Sequence, residues 1–225
     1  MEQRSIALDG PGGAGKSTLA RMAAMRFKLI YVDTGALYRC VALHVLRNGV
    51  DTKDEPSVAE LLPKIKIEMM YDDEGVQRML LDGNDVTDEI RSPDVSMGAS
   101  NVSALPTVRE HLLSMQREMA VKYDVIMDGR DIGTVILPNA GLKVFLTAAS
   151  ETRAMRRYLE LVEKNVATTL EEVQSDMVLR DKNDSERAAA PLKAAEDAIM
   201  LDTTALNLEE SFNALCDMIS ERLCI

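Results

Sequence analysis

Residues 10 to 18 read Gly-Pro-Gly-Gly-Ala-Gly-Lys-Ser-Thr and satisfy every fixed position of the phosphate-loop pattern G-x-x-x-x-G-K-[ST]. The apolar run Ile6-Ala7-Leu8 precedes the loop, and a helical stretch from Leu19 to Phe27 follows it. A strand must therefore pass into a helix through a loop whose backbone N–H groups converge on an anion. The glycines let the chain curl, the helix N-terminus adds a favourable partial charge, Lys16 reaches the β/γ-phosphates and the Ser17 hydroxyl is placed to ligate Mg²⁺. A glycine-rich turn before a helix is the plain alternative. The spacing, with a strand before it and a helix after it, selects a nucleoside triphosphate site instead, contributed by Gly10, Pro11, Gly12, Gly13, Ala14, Gly15, Lys16, Ser17 and Thr18.

The other ligand is constrained by charge. A formal net charge of −11 over 225 residues disfavours a nucleic-acid or anionic-membrane surface, both of which require a basic field. A small anionic substrate remains open, provided that arginines are gathered locally. Cys40, Cys216 and Cys224 lack metal-type spacing and fit a reducing compartment. The N-terminus leads into the first strand with no charged-then-apolar leader, and no apolar run approaches the ~18–20 residues of a membrane span. The expectation is a soluble, cytoplasmic chain with no nucleic-acid or membrane partner.

Apolar β-favouring runs recur at Ile6–Leu8, Leu29–Val32, Val125–Met127, Val144–Leu146 and Ile199–Leu201, with helical patterns between them. This alternation predicts a parallel sheet covered on both faces. Thr169 with Glu172 and Asn207 with Glu210 have capping-box form. One stretch breaks the alternation. Ile65, Ile67, Met69 and Tyr71 alternate with other residues, Asp72-Asp73-Glu74-Gly75 turns the chain into Val76–Leu81, and Asp82-Gly83 turns it again toward Asn84–Val86. The pattern predicts a small antiparallel ribbon within an insertion running roughly over residues 63 to 103. It serves either as a decorative excursion or as part of a substrate lid.

Three further constellations stand out. Asp33-Thr-Gly-Ala-Leu-Tyr-Arg39 follows the second strand, and Asp128-Gly-Arg-Asp131 follows Val125–Met127. In an open α/β sheet both segments lie at the carboxyl edge, where ligands bind. A carboxylate ending an apolar strand, here Asp128, occupies the position that holds Mg²⁺ through water. Arg153, Arg156 and Arg157 share one helical face, as do Arg180, Asp184 and Arg187. Intrahelical pairs such as Arg156–Glu160 and Arg180–Asp184 would make these ordinary solvated faces. Phosphoryl transfer, which gathers negative charge, gives the guanidiniums another use.

Taken together, Gly10–Thr18, Asp33–Arg39, Gly98-Ala-Ser-Asn101, Val108-Arg-Glu110, Asp128-Gly-Arg-Asp-Ile-Gly-Thr134, Arg153–Arg157, Arg180–Arg187, Ala190-Pro-Leu192 and Leu201-Asp-Thr203 resemble the bacterial cytidylate kinases, nucleoside monophosphate kinases of the P-loop class, essentially end to end. The resemblance implies an α/β P-loop NTPase three-layer fold with a central parallel sheet, an inserted NMP-binding subdomain carrying the ribbon, and a short helical lid. One domain, residues 1–225, would divide into a core (1–33, 104–148 and 166–225), an insertion (34–103) and a lid (149–165). The implied activity is ATP-dependent, Mg²⁺-assisted phosphorylation of CMP and dCMP by a monomer.

Carried over by position, Ser100, Arg109 and Asp131 would read cytosine. Thr34, Arg180 and Asp184 would surround the sugar, with Arg39, Arg130 and Arg187 toward the acceptor phosphate. Lys16, Arg130, Arg153, Arg157 and Arg187 would act in transfer, and Ser17 and Asp128 would hold the metal. Gly12 and Thr34 stand where serines are common in the family. Two rivals are a kinase of the same architecture with another acceptor, and a GTPase switch. The second wants a guanine-reading N-K-x-D after a late strand, of which Asp181-Lys-Asn-Asp184 in a helical stretch is only an echo.

Overall fold

The computed structural model describes residues 4–73 and 75–224. Five parallel strands form the central sheet: β1 (Ser5–Asp9), β2 (Ile30–Asp33), β6 (Val125–Gly129), β7 (Leu142–Thr147) and β8 (Ile199–Asp202), in the order β2-β6-β1-β7-β8. Each corresponds to one of the apolar runs read from the sequence. The runs are continuous rather than alternating because both faces are covered. Ile6 and Leu8 pack beneath α1 (Lys16–Phe27) and α8 (Leu208–Leu223), together with Leu19, Ala23, Leu215 and Ile219. Ala7, Val32, Val125 and Met127 face the opposite layer, where Leu113, Met119 and Ala120 of α5 (Pro106–Lys122) close over them.

The strand order sets the site. The chain leaves β1 outward to β2, returns by β6 between the two, and continues on the other flank with β7 and β8. Ligand-binding loops therefore collect beyond the carboxyl ends of β1 and β6. Register aligns Leu8 with Asp128 and Asp33 with Asp128 across neighbouring strands. Three adjacent strands thus end in buried aspartates: Asp9, Asp128 and Asp33, each at most 5% exposed.

After β2, helix α2 (Thr34–Arg47) opens with Asp33 as N-cap, its carboxylate accepting from Ala36 N at 3.0 Å. Helices α3 (Glu55–Leu61) and α4 (Pro93–Val102) flank the ribbon of β3 (Ile67–Tyr71), β4 (Gln77–Leu81) and β5 (Asn84–Asp85), which is antiparallel as expected. Glu74 of the expected first turn lies outside the described residues; Val76 N donates to the Asp72 carboxylate at 2.8 Å beside it. Met79 and Leu81 bury against α2 and α4 in one apolar cluster. Tyr71 and Gln77 tie the ribbon to the main sheet: Tyr71 donates its hydroxyl to Tyr31 O at 2.9 Å, and Gln77 accepts from Asp33 N through Oε1 at 2.9 Å and donates to Asp33 O through Nε2 at 3.5 Å. The ribbon buttresses the edge strand β2.

Helices α6 (Ser150–Glu163) and α7 (Leu170–Glu186) form a hairpin packed through Ala154, Leu161, Val173 and Met177. Both capping boxes form as read, at Thr169/Glu172 and Asn207/Glu210. No helix among the described residues is long and apolar enough to cross a membrane, and the three cysteines are free.

Candidate active site

Between β1 and α1 the chain adopts the compact loop that its glycines permit. A Cβ at Gly10 (φ +148°) would stand 2.0 Å from Leu146 O, and one at Gly13 (φ +71°) would press on Met177 and Arg153. Lys16 is buried and donates Nζ to Pro11 O at 2.8 Å. Gly12 to Thr18 floor a cleft of about 660 Å³, a volume typical of small-molecule sites. Gly10 and Pro11 do not line it.

Asp128 lies beside the loop. Its carboxylate accepts from Ser17 Oγ at 2.8 Å on one oxygen and from Tyr31 Oη at 2.9 Å on the other. Burial, with Asp33 close by, pushes Asp128 above the usual carboxylate range. Thr34 Oγ1 donates to Asp128 O at 2.8 Å. The hydroxyl that the sequence assigned to a sugar is thus engaged in holding the end of β6.

Cations gather on the floor. Lys16, Arg130 and Arg180 lie close together: burial and Arg130 pull Lys16 well below its ordinary value, and burial and Arg130 bring Arg180 down to about 10, while Asp184 keeps Arg130 above its ordinary value despite burial. Arg130 is held by Asp184, Nε to Oδ2 at 2.8 Å, and Asp184 stays below the usual range despite its burial because Arg130 and Arg180 flank it. Arg180 Nε and Arg39 Nε have no protein hydrogen-bond partner. Mutually repelling, incompletely bonded cations in a desolvated cleft are satisfied best by a multivalent anion. The Arg180–Asp184 pair of the solvated-face alternative is absent; Asp184 bonds Arg130 across the cleft instead.

At the opposite end, Asp131 sits between two guanidiniums, with Arg109 Nη2 donating to Oδ2 and Arg187 Nη2 to Oδ1, the latter at 3.3 Å. Burial nevertheless raises its carboxyl, against the pull of Arg109 and Arg187. Ser100 Oγ is buried on the cleft wall with no protein partner, while Ser100 O accepts from Ser103 Oγ at 2.9 Å. Arg109 lies over the Tyr38 ring and reaches the cleft through Asp131 rather than lining it. Arg39, near the end of the second turn of α2, does line the cleft and is anchored by Asp33 at 2.9 Å.

Arg153 does not line the cleft: its guanidinium is buried against Ala148 O, Gly12 O and Asp181, at 2.9, 3.0 and 2.7 Å. It ties α6 to the phosphate loop. The helical period placed Arg153 with Arg156 and Arg157, but could not say that the hairpin turns it inward. The Arg156–Glu160 pair of the solvated-face alternative does not form: Arg156 bonds the turn after β8 through Thr203 O at 2.8 Å, and Glu160 pairs with Arg157 and Lys164. The ribbon adds no residue to the cleft; α4 and Arg91 supply that wall.

Four contributors escaped the sequence reading. Arg91 joins Arg39 on Asp33, at 2.7 Å, from 58 residues away and without motif. Ser103 and Tyr31 carry no signal beyond their neighbours. Asp9 had one: it ends an apolar strand, the same feature that singled out Asp128.

A family model described as "Cytidylate kinase" matches residues 6–221. The chain belongs to the cytidylate kinase family. It is 47% identical over 97% of its length to a cytidylate kinase of Caldicellulosiruptor bescii, covering 96% of that protein, and 46% identical over 96% to one from Carboxydothermus hydrogenoformans, covering 97%. A solved structure from Eubacterium ventriosum, described as uncharacterized, superposes with a TM-score of 0.52 at 11% identity, over 98% of this chain and 100% of that one. It speaks to the fold alone. The matched residues 6–221 include both the phosphate loop and the Asp131 corner.

Proposed function

We propose that this chain transfers the γ-phosphoryl group of ATP to CMP and dCMP, yielding ADP and the corresponding diphosphate. The observation that carries the reading is the geometry of one cleft: a phosphate loop with its lysine at one end, and at the other a carboxylate clasped by two arginines beside an unpartnered serine hydroxyl. Cytosine offers an N4 amino donor to Asp131 and acceptors to hydroxyl or guanidinium groups. Uracil turns a carbonyl toward Asp131 and leaves that buried carboxylate facing an acceptor, which disfavours UMP.

The attacking oxygen belongs to a phosphate with a second pKa of about 6, so it is largely dianionic at neutral pH and needs no general base. It attacks the γ-phosphorus in line as the bond to the β-phosphate oxygen breaks, and ADP leaves with that electron pair. Lys16 exchanges Pro11 O for phosphate oxygens. Arg130, Arg180 and Arg187, with Arg39 and Arg91, offset charge on donor and acceptor phosphates. Arg157, held among the described residues only by exposed Glu160, is free to swing inward, whereas Arg153 braces the loop. Thr34 and Asp184 complete the sugar side. Ser17 and Asp128 present hard oxygen donors 2.8 Å apart beside the loop, a pair suited to Mg²⁺; the ion would neutralise charge on the transferring phosphates.

We assign residues 34–103 to the acceptor-nucleotide part, 149–165 to the lid and the remainder to the core, acting as a cytoplasmic monomer. The test is ADP release with ATP and Mg²⁺ across CMP, dCMP, UMP, AMP and GMP. CMP and dCMP should lead by at least about tenfold. Activity confined to AMP, or absent with every monophosphate, overturns the reading.

A further inference from the structure

Asp9 is a buried carboxylate that the transfer chemistry does not use. It ends the central strand β1, immediately before the phosphate loop, and is 4% exposed. Its two oxygens accept from two successive backbone amides of another segment: Ile132 N at 2.7 Å and Gly133 N at 2.8 Å. Those amides open the wide helical turn Ile132–Ile136 that follows Asp131. Within the turn, Val135 N and Ile136 N bond back to Asp131 O, and Leu137 N bonds Ile132 O. The first N–H groups of a helical turn have no partner inside it, and Asp9 supplies one for both.

The consequence lies one residue upstream. Asp131 is drawn toward Arg109 and Arg187, while Arg130 is drawn toward Asp184. Both side chains leave the stretch of backbone that Asp9 holds. No other side chain among the described residues bonds the Ile132 or Gly133 amide. We propose that Asp9 is a positioning residue for acceptor-base selectivity, hanging the Asp131 turn from the strand that carries the phosphate loop and so fixing the cytosine reader relative to the donor site. The proposal rests on the cytidylate kinase reading of the cleft and adds a residue to it.

Burial and the neighbouring Asp131 charge push the Asp9 carboxyl up to about 6. A carboxyl raised on folding favours the fold below its unfolded value of 3.8, and that contribution is lost as pH rises through about 6. At pH 8 the ionised group is therefore a burden on stability, which separates positioning from structural support. Asp9→Asn is nearly isosteric: its amide oxygen still accepts one N–H, but its NH₂ confronts the other. A group that merely props up the fold would lower the melting point and weaken both substrates alike when replaced.

The experiment measures parent, Asp9→Asn and Gly133→Ala with ATP and saturating Mg²⁺. A Cβ at Gly133 would stand 3.3 Å from Asp9 Oδ2 and 3.1 Å from Lys143 Cδ, pushing the turn off the carboxylate from the other side. For Asp9→Asn, kcat/KM for CMP should fall about tenfold or more, the CMP:UMP ratio of kcat/KM about fivefold or more, and KM for ATP should change less than about twofold. Its melting point at pH 8 should stay within about 3 °C of the parent. Gly133→Ala should show the same loss of ratio and decides the matter if Asp9→Asn does not fold. A folded variant with the parental CMP:UMP ratio, or with equal losses toward ATP and CMP, overturns the positioning role. A parent inactive on CMP overturns the functional reading itself, and that is seen before any variant is compared.

Discussion

Asp33 joins the acceptor side to the fold, and replacing it with asparagine separates charge from shape. The carboxylate caps α2 through Ala36 N and accepts from Arg39 and Arg91, and its backbone is bracketed by Gln77 of the ribbon. Burial alone would raise the Asp33 carboxyl, but Arg39 and Arg91 outweigh it and hold the group at about 2, from an ordinary 3.8. By linkage that depression is worth about 2.4 kcal/mol, fully present above the unfolded value and lost as pH falls through the folded one. About half remains at pH 3. Asparagine keeps an oxygen for Ala36 N and so preserves most of the cap, worth about 1 kcal/mol. Asp33→Asn should therefore destabilise the chain by about 2–3 kcal/mol at pH 7, and by about half that at pH 3. Urea unfolding of parent and variant at pH 7, 5 and 3 measures the difference, with titrating groups remote from Asp33 cancelling between the two proteins and Asp128, which loses a neighbouring charge, opposing part of the gap. Arg39 and Arg91, freed from a common anchor, should also raise KM for CMP by about tenfold while leaving that for ATP near the parental value. A stability gap that is the same at pH 7 and pH 3, or a gap below about 0.5 kcal/mol at pH 7, refutes the reasoning.

Arg157→Ala should lower kcat by about a hundredfold with modest change in KM and an unchanged melting point, since its one ion pair among the described residues is with half-exposed Glu160; parental kcat removes Arg157 from the transition state. Asp131→Ala leaves buried Arg187 and partly buried Arg109 short of their shared partner and should cost about 3 kcal/mol, or roughly 6–12 °C by calorimetry. It should also reduce CMP use far more than UMP use, and a retained CMP:UMP ratio would count against Asp131 as the base reader. Gly12→Ser should be tolerated within about 0.5 kcal/mol, because an added Cβ meets only Arg130 Nη2 at 3.7 Å. Gly10→Ala, with its Cβ 2.0 Å from Leu146 O, should fail to give a soluble protein or melt at least about 10 °C lower; a parental melting curve would contradict the packing described for the loop.

Local signals carried most of the architecture. The five strands, the ribbon and both capping boxes are short-range patterns, decided by alternation, turn chemistry and i,i+3 spacing, and each stands where those rules put it. Roles that depend on side-chain direction were less legible. Arg153, Arg156 and Arg157 share a helical face, yet Arg153 braces the loop while the other two line the cleft, Arg156 bonding the turn after β8 and Arg157 pairing with Glu160. Periodicity says which residues share a face; it is silent on what the face meets.

By itself the sequence determined the phosphate site, because G-x-x-x-x-G-K-S between strand and helix shapes its own backbone within nine residues. It also placed carboxylates at strand ends, where a parallel sheet must present them. Tertiary structure decided how those carboxylates are used. Asp9 reaches amides 123 and 124 residues away, Asp33 takes a guanidinium from 58 away, and Asp184 pairs with Arg130 rather than its helical neighbour Arg180. Such pairings arise when strand order β2-β6-β1 brings distant loops to one edge and burial drives most of the charges there to find a partner.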